Sequence, residues 1–130
     1  MKYESNNTWT YSCKYHIIWC PKYRRKVLTN GIDTRLKELL NNWQKELDYQ
    51  IIEQEIMPDY VHLLIQTTPD VPILNLVKTL KGRTARILRK EFPQLKSRLP
   101  NLWTRNKFIA TVGTVSLEVI NQYIENQKGV

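Results

Sequence analysis

The fold turns on Gln50-Ile-Ile-Glu-Gln-Glu-Ile-Met57, Pro58-Asp59 and Tyr60-Val-His-Leu-Leu-Ile-Gln-Thr67. The two flanking runs are rich in β-branched and apolar residues, and the Pro-Asp pair between them is turn chemistry, so the stretch reads as an antiparallel hairpin. Side chains two apart on a strand share a face. Val61, Leu63 and Ile65 therefore form a wholly aliphatic side that belongs to the core, and Tyr60, His62 and Leu64 share the opposite, more open side.

Before the hairpin, Tyr11-Ser-Cys-Lys-Tyr-His-Ile-Ile-Trp-Cys20 is aromatic and β-branched and is closed by Pro21, which reads as a strand. The basic run Lys22 to Lys26 follows. From Asp33, expected as an N-cap, Leu36, Leu39, Leu40, Trp43 and Leu47 recur at helical spacing. After the hairpin, Pro72 suits the first turn of a second helix, in which Ile73, Leu76, Val77, Leu80, Ile87 and Leu88 form the buried stripe until Phe92-Pro93 ends it. A loop with Trp103 leads to a strand at Phe108–Val112. Gly113 is expected to break that strand before a last helix from about Ser116 to Gln127. The order β-α-β-β-α-β-α predicts an α+β, ferredoxin-like (RRM-like) split βαβ domain over residues 1–130. A central antiparallel sheet carries helices on one face, and an appended C-terminal helix bearing Tyr123 lies near the open face. Such sheets serve binding modules, carriers and enzymes alike, so function has to come from the site.

A chain of 130 residues suits one domain with a modest core, and a deep active site is expected to need a partner subunit. The net charge is +8 and unevenly placed. Residues 1–70 hold 9 basic and 9 acidic side chains, residues 71–107 hold 10 and 1, and residues 108–130 hold 1 and 2. A face built for solubility mixes both signs, so a basic excess confined to one segment points to a polyanion, most commonly nucleic acid. The stretch MKYESNNTWTYS has no apolar core of a signal peptide, and no run approaches the ~20 apolar residues of a membrane span. A soluble, cytoplasmic protein with no membrane partner is expected. Cys13 and Cys20, seven apart in a strand-like stretch, suggest no disulfide framework.

Two groups of residues bear on chemistry. His62, on the open side of its strand, offers a neutral imidazole to a metal ion, although a lone strand histidine is more often structural. Tyr123 and Gln127 lie four apart on the last helix, so a phenol and an amide oxygen share one face. A tyrosine attacking a phosphodiester conserves the bond energy in a phosphotyrosine that a DNA hydroxyl can later reverse, without ATP. The bland reading has Tyr123 packing beside Val119, Ile120 and Ile124.

Pro58-Asp59-Tyr60-Val61-His62-Leu63-Leu64-Ile65 resembles the strand motif of the single-tyrosine HUH transposases of the insertion-sequence 200/605 family, in which Pro-Asp is followed by His-hydrophobic-His. Tyr15-His-Ile-Ile-Trp-Cys-Pro-Lys-Tyr-Arg-Arg25, Leu80-Lys-Gly-Arg-Thr-Ala-Arg86, Phe92-Pro-Gln-Leu-Lys96, Leu102-Trp-Thr104 and Tyr123-Ile-Glu-Asn-Gln127 resemble the same family in the same order. The resemblance implies a transposase that binds hairpin ends of single-stranded DNA, cuts by attack of Tyr123 to leave a 5′-phosphotyrosine and a free 3′-hydroxyl, and rejoins strands. It implies that His62 and Gln127 hold a divalent ion, Mg²⁺ or Mn²⁺, and that a homodimer forms composite sites in which the Tyr123 helix serves the other subunit. Lys22, Arg24, Arg25, Lys78, Lys81, Arg83, Arg86, Arg89 and Arg105 are candidates for phosphate contact, and Trp103 is either a stacking platform or core.

The chain departs from the motif at Tyr60, where the family has its first histidine. A phenol must lose a proton, with an ordinary pKa near 10, to become a good anionic ligand, whereas imidazole is ready near pH 7. Three accounts stand: Tyr60 ligates as a phenolate, water replaces the missing imidazole, or this copy binds DNA without cutting it. The alternative to a transposase is thus a non-catalytic hairpin- or single-strand-binding relative. An RRM-like RNA binder fits less well, because the first and third strands lack the paired aromatic motifs.

Overall fold

A computed structural model describes residues 4–5, 10–11, 13–112 and 117–127. In chain order the elements are β1 (Glu4–Ser5), β2 (Thr10–Tyr11), β3 (Cys13–Trp19), a 3₁₀ turn (Lys22–Arg24), α1 (Ile32–Asn42), α2 (Gln44–Leu47), β4 (Tyr49–Met57), β5 (Tyr60–Thr67), α3 (Ile73–Glu91), α4 (Gln94–Arg98), β6 (Phe108–Thr111) and α5 (Leu117–Glu125). Among the described residues the short β1 and β2 pair with each other, apart from the main sheet. The main sheet runs β4-β5-β3-β6, antiparallel throughout, which is the expected split βαβ arrangement.

The hairpin forms as its sequence dictates, with Met57 opposite Tyr60 across the Pro58-Asp59 turn. Val61, Leu63 and Ile65 are fully buried beside Ile17 and Trp19 of β3, against Leu36 and Leu40 of α1 and Leu76, Val77, Leu80 and Leu88 of α3. Burying a side chain of this kind stabilises the fold by ~1.5–3 kcal/mol, so this one face is the main source of cohesion. Strand β4 carries a bulge between Ile51 and Glu53. Ile51 pairs with Ile65 on the core side, and the bulge then reverses the alternation. Glu53 and Glu55 come to lie opposite Leu64 and His62, and Ile52 is left 41% exposed.

Several sequence expectations are revised. Asp33 is not the N-cap: that position falls two residues earlier, on Gly31 in the left-handed conformation (φ 96°), and Asp33 sits in the first turn of α1, where its charge complements the helix dipole. The first helical segment breaks at Trp43. Pro72 caps α3 from outside, and the α3 stripe buries Thr84 fully while leaving Ile73 and Ile87 only half-buried. Thr84 is accommodated because its hydroxyl donates to the Leu80 carbonyl (2.7 Å). The segment after Phe92-Pro93, expected as loop, holds a further short helix, α4. The strand expected from Tyr11 starts at Cys13. Gly113 and Ser116, expected to break β6 and to open the last helix, lie outside the described residues. Cys13 and Cys20 are free thiols. Among the described residues no helix is long and apolar enough to cross a membrane.

Candidate active site

The second face of the sheet gathers the chemistry. The pairing that turns Ile17 and Trp19 into the core turns His16 and Ile18 of β3 outward, beside His62 and Leu64 of β5. Phe108 of β6 lies opposite Ile18 on its other side, and Glu55 of β4 lies opposite His62. Helix α5 is laid across this face. Its Ile120 and Ile124 bury Ile18 completely, with Tyr60, Phe108 and Tyr123 packed around them. Val119, which the packing account grouped with these residues, is instead 48% exposed.

Arg24 fixes where α5 ends. Tyr23 and Arg24 have positive φ (58° and 51°), and this left-handed pair reverses the chain after Pro21. The Arg24 side chain, 13% exposed, then reaches inward. Its Nε donates to Asp59 Oδ2 (2.8 Å) at the hairpin turn, and its Nη1 donates to the Ile124 carbonyl (3.0 Å) in the last turn of α5. A cation at a helix C-terminus satisfies an orphan carbonyl and complements the dipole. The Pro58-Asp59 turn is thereby tied through Arg24 to the helix that carries Tyr123.

Tyr123 is half-buried, with its ring 5.2 Å from that of Phe108. Burial, reinforced by nearby Cys20, raises the phenol pKa well above that of an ordinary tyrosine, so it is protonated at neutral pH. Its hydroxyl has no hydrogen-bond partner among the described residues, and neither does Oε1 of Gln127, which is buried just beyond α5. Buried polar atoms without partners are uncommon and mark places where something else belongs.

His62 is half-buried, and one of its ring nitrogens bonds to His16: Nε2 lies 3.0 Å from His16 Nδ1. Burial, and then the neighbouring His16, lowers the His62 pKa, which favours the neutral imidazole. Tyr60 does not turn toward this pair. Its hydroxyl donates to Glu55 Oε1 (2.8 Å). Burial, followed by that carboxylate, pushes the phenol up to about 12, which works against ligation as a phenolate. Among the described residues no group of three or more His, Cys, Asp or Glu is placed to hold a metal. Taken singly, the neutral imidazole of His62 and the amide oxygen of Gln127, which has no partner among the described residues, are donors of a kind that a hydrated divalent cation accepts.

The family model for transposases described as IS200-like matches residues 9–127. The chain belongs to the IS200-like transposase family. It is 40% identical over 121 residues to the ISDra2 transposase TnpA of Deinococcus radiodurans, covering 92% of this chain and 86% of that protein. It is 29% identical over 119 residues to the transposase for insertion sequence element IS200 of Salmonella typhimurium, covering 90% of this chain and 78% of that protein. A crystal structure described as a transposase from Deinococcus radiodurans superposes with a TM-score of 0.88 at 37% identity, over 98% of this chain and 99% of that one. The structure of a REP-associated tyrosine transposase bound to a REP hairpin shares the fold, with a TM-score of 0.56 at 10% identity over 96% of this chain and 69% of that one.

The basic residues of this transposase-family chain divide into two groups. Lys78 and Arg86 on α3, Arg25 after the 3₁₀ turn and Arg105 before β6 are exposed, and Lys22 lies over the Tyr23 ring at 5.2 Å. Others are engaged inside the molecule. Arg24 serves the Asp59–Ile124 link. Lys81 Nζ donates to the carbonyls of Thr104 (2.8 Å), Asn106 (3.2 Å) and Arg105 (3.4 Å). Burial, and then the Lys107 cation, holds the Lys81 ammonium at about 8. Arg83 forks onto Glu46 and stacks over Trp43, and Arg89 donates to the Pro100 carbonyl. Trp103 resolves as core: it is 6% exposed, meets Trp19 edge-on, and its Nε1 donates to Thr84 Oγ1 (3.0 Å). No ring face is left for a base. Sequence reasoning passed over His16, Glu55 and the Arg24–Asp59 link. Alternation along β3 faces His16 away from Ile17, but which strand it neighbours depends on the sheet order.

Proposed function

We propose that this chain is a metal-dependent transposase that binds hairpin ends of single-stranded DNA, cuts by attack of Tyr123 and rejoins the strands. One observation carries the reading: the Tyr123 hydroxyl, without a partner among the described residues, sits on a helix laid across the sheet face that bears His62, in a chain of a transposase family. In cleavage the phenol oxygen bonds to phosphorus, the bond from phosphorus to the 3′ oxygen breaks, and the phenol proton passes in net terms to that leaving oxygen. A 5′-phosphotyrosine and a 3′-hydroxyl result, and the reverse attack by a DNA 3′-hydroxyl joins strands. His62 and the Gln127 amide oxygen are assigned to hold Mg²⁺ or Mn²⁺. When bound, such an ion polarises the scissile phosphate and offsets charge in the transition state. Arg24 and Asp59 hold the end of α5, and Phe108 and Ile18 set the lean of the Tyr123 ring. The hairpin bound by the REP-associated relative supports a DNA hairpin as partner. A homodimer with composite sites is assigned on the family resemblance, and Leu117 of α5, 70% exposed, is apolar surface for it to cover.

A second reading is favoured by Tyr60, whose hydroxyl is held by Glu55: a relative that binds hairpins without cutting. The two separate in one assay. The protein is incubated with labelled single-stranded DNA carrying the element's ends and Mn²⁺, and an SDS-resistant protein–DNA adduct is sought. An adduct that disappears in Tyr123→Phe supports cleavage. Binding without an adduct, with an adduct gained in Tyr60→His, supports the second reading. An adduct that persists in Tyr123→Phe refutes the site.

A further inference from the structure

The His16–His62 contact is a head-on one. The rings are 5.3 Å apart between centroids while the two nitrogens are 3.0 Å apart, a separation reached only when both nitrogens lie on the line joining the rings. That is the geometry of an N–H···N hydrogen bond, in which one imidazole donates and the other accepts along its lone pair. The two possible directions have opposite consequences for His62. If His62 Nε2 accepts from His16, its lone pair is occupied and the proton of the neutral ring sits on Nδ1, so the ring has nothing to offer a cation. If His62 Nε2 donates, Nδ1 carries a free lone pair.

We propose that His16 is a positioning residue for the metal site: its Nδ1 accepts the proton on His62 Nε2, fixes that tautomer, and leaves His62 Nδ1 as the nitrogen that meets the divalent ion. This rests on the assignment of His62 as a ligand above. Metal-bound imidazoles usually give their second N–H to an acceptor that holds the ring and its tautomer, and such partners matter to affinity almost as much as ligands do. Carboxylates and carbonyls commonly fill that role. Here the acceptor is a second imidazole, presented by the neighbouring strand. Its placement follows from the sheet: His16 pairs with Leu64 and so sits one step diagonally from His62 on the same face. Tyr60 is turned away to Glu55, so His16 is the side chain that fixes the His62 ring.

The test begins without metal. Long-range ¹H–¹⁵N correlation spectra of the whole, metal-free protein at neutral pH report which nitrogen of each histidine carries hydrogen. The chain has only two histidines, so His16→Leu assigns both. The expected result is His62 protonated at Nε2 in the unmodified protein and a mixture of tautomers in His16→Leu. His16→Gln, which supplies an amide oxygen as acceptor, is expected to restore the Nε2–H form. Mn²⁺ affinity, read from the EPR signal of the free ion, is expected to fall ~10–100-fold in His16→Leu and to recover in His16→Gln. His62 protonated at Nδ1 in the unmodified protein overturns the proposal, with no variant needed. Unchanged Mn²⁺ affinity in His16→Leu also overturns it. Failure of the underlying assignment shows separately, as unchanged Mn²⁺ affinity in His62→Gln. If His62→Gln loses Mn²⁺ and His16→Leu does not, only the positioning role is lost.

Discussion

The phenol of Tyr60 stands where the resembled motif has its first histidine, and it spends its hydroxyl on Glu55 across the hairpin. Removing only that hydroxyl, in Tyr60→Phe, is expected to leave Mn²⁺ affinity within about twofold, because the hydroxyl is engaged with Glu55. Tyr60→His is expected to raise it by at least ~10-fold, since a neutral imidazole needs no deprotonation. Equal affinities for the Phe and His variants would show that position 60 does not face the ion. Cys20 offers a pH test of the buried surroundings of Tyr123. Burial pushes its thiol up from 9.0 to about 11. A raised pKa on an acid means that the unfolded chain gives up its proton first, so this contribution to stability is present below pH 9 and is lost as pH rises toward 11. Lys81, held down at about 8, works in the opposite sense over part of that range, so the comparison has to be with a variant. Melting curves of Cys20→Ala are expected to lose less stability between pH 9 and 11 than the unmodified chain. A parallel decline in both would refute this account of Cys20.

Helix α5 is short, with nine residues, and an isolated helix of that length does not persist in water. It stays in place because Ile120 and Ile124 are buried on Ile18 and because Arg24 joins its last turn to the hairpin. The side chains of Arg24 and Asp59 are only 13% and 12% exposed, so removing one charge strands the other in a desolvated place. Arg24→Met is expected to cost about 3 kcal/mol in urea unfolding, the range for a broken buried pair. It is also expected to reduce adduct formation more than hairpin binding, since it frees the end of the helix that carries Tyr123. Arg24→Lys should fare little better, because a point charge cannot reach Asp59 and the Ile124 carbonyl in the same forked geometry. The bulge in β4 works on the same level: without its extra residue, Glu53 and Glu55 would point into the core, and Glu55 would not meet Tyr60.

Across the molecule, the sheet separates two tasks. One face carries the aliphatic core against α1 and α3, and the other carries α5 and the polar site. The basic excess of residues 71–107 is distributed by the same geometry, with part of it turned inward as structural cations. Lys78→Ala and Arg86→Ala, at exposed positions, are expected to weaken hairpin binding. Each should reduce the slope of log affinity against log salt by about 0.7–0.9 while leaving the melting temperature unchanged. Trp103→Ala is expected to do the reverse. Losing a buried indole that bonds to Thr84 costs ~3–5 kcal/mol of stability, and any loss of DNA binding should follow the loss of fold. A Trp103→Ala protein that keeps its stability but loses DNA would contradict its place in the core.

The sequence by itself determined what is local. Alternation along Tyr60–Thr67 assigned its faces and Pro58-Asp59 set the hairpin turn, because the strand period fixes side-chain direction within an element. The four-residue spacing of Tyr123 and Gln127 did not put both on one helix: α5 ends at Glu125, and Gln127 falls in the turn beyond it. The order of elements was enough to give the split βαβ class. Only the tertiary structure decided what depends on partners distant in the chain. His16 meets His62 because β3 pairs with β5 in one register, Arg24 reaches Ile124 because two left-handed residues turn it inward, and Trp103 is core because Thr84 lies buried beneath it. Neither composition nor period encodes a register between residues 46 apart in the chain, which is why His62, met as an isolated histidine on its own strand, became one of a pair with His16 only when the sheet was assembled.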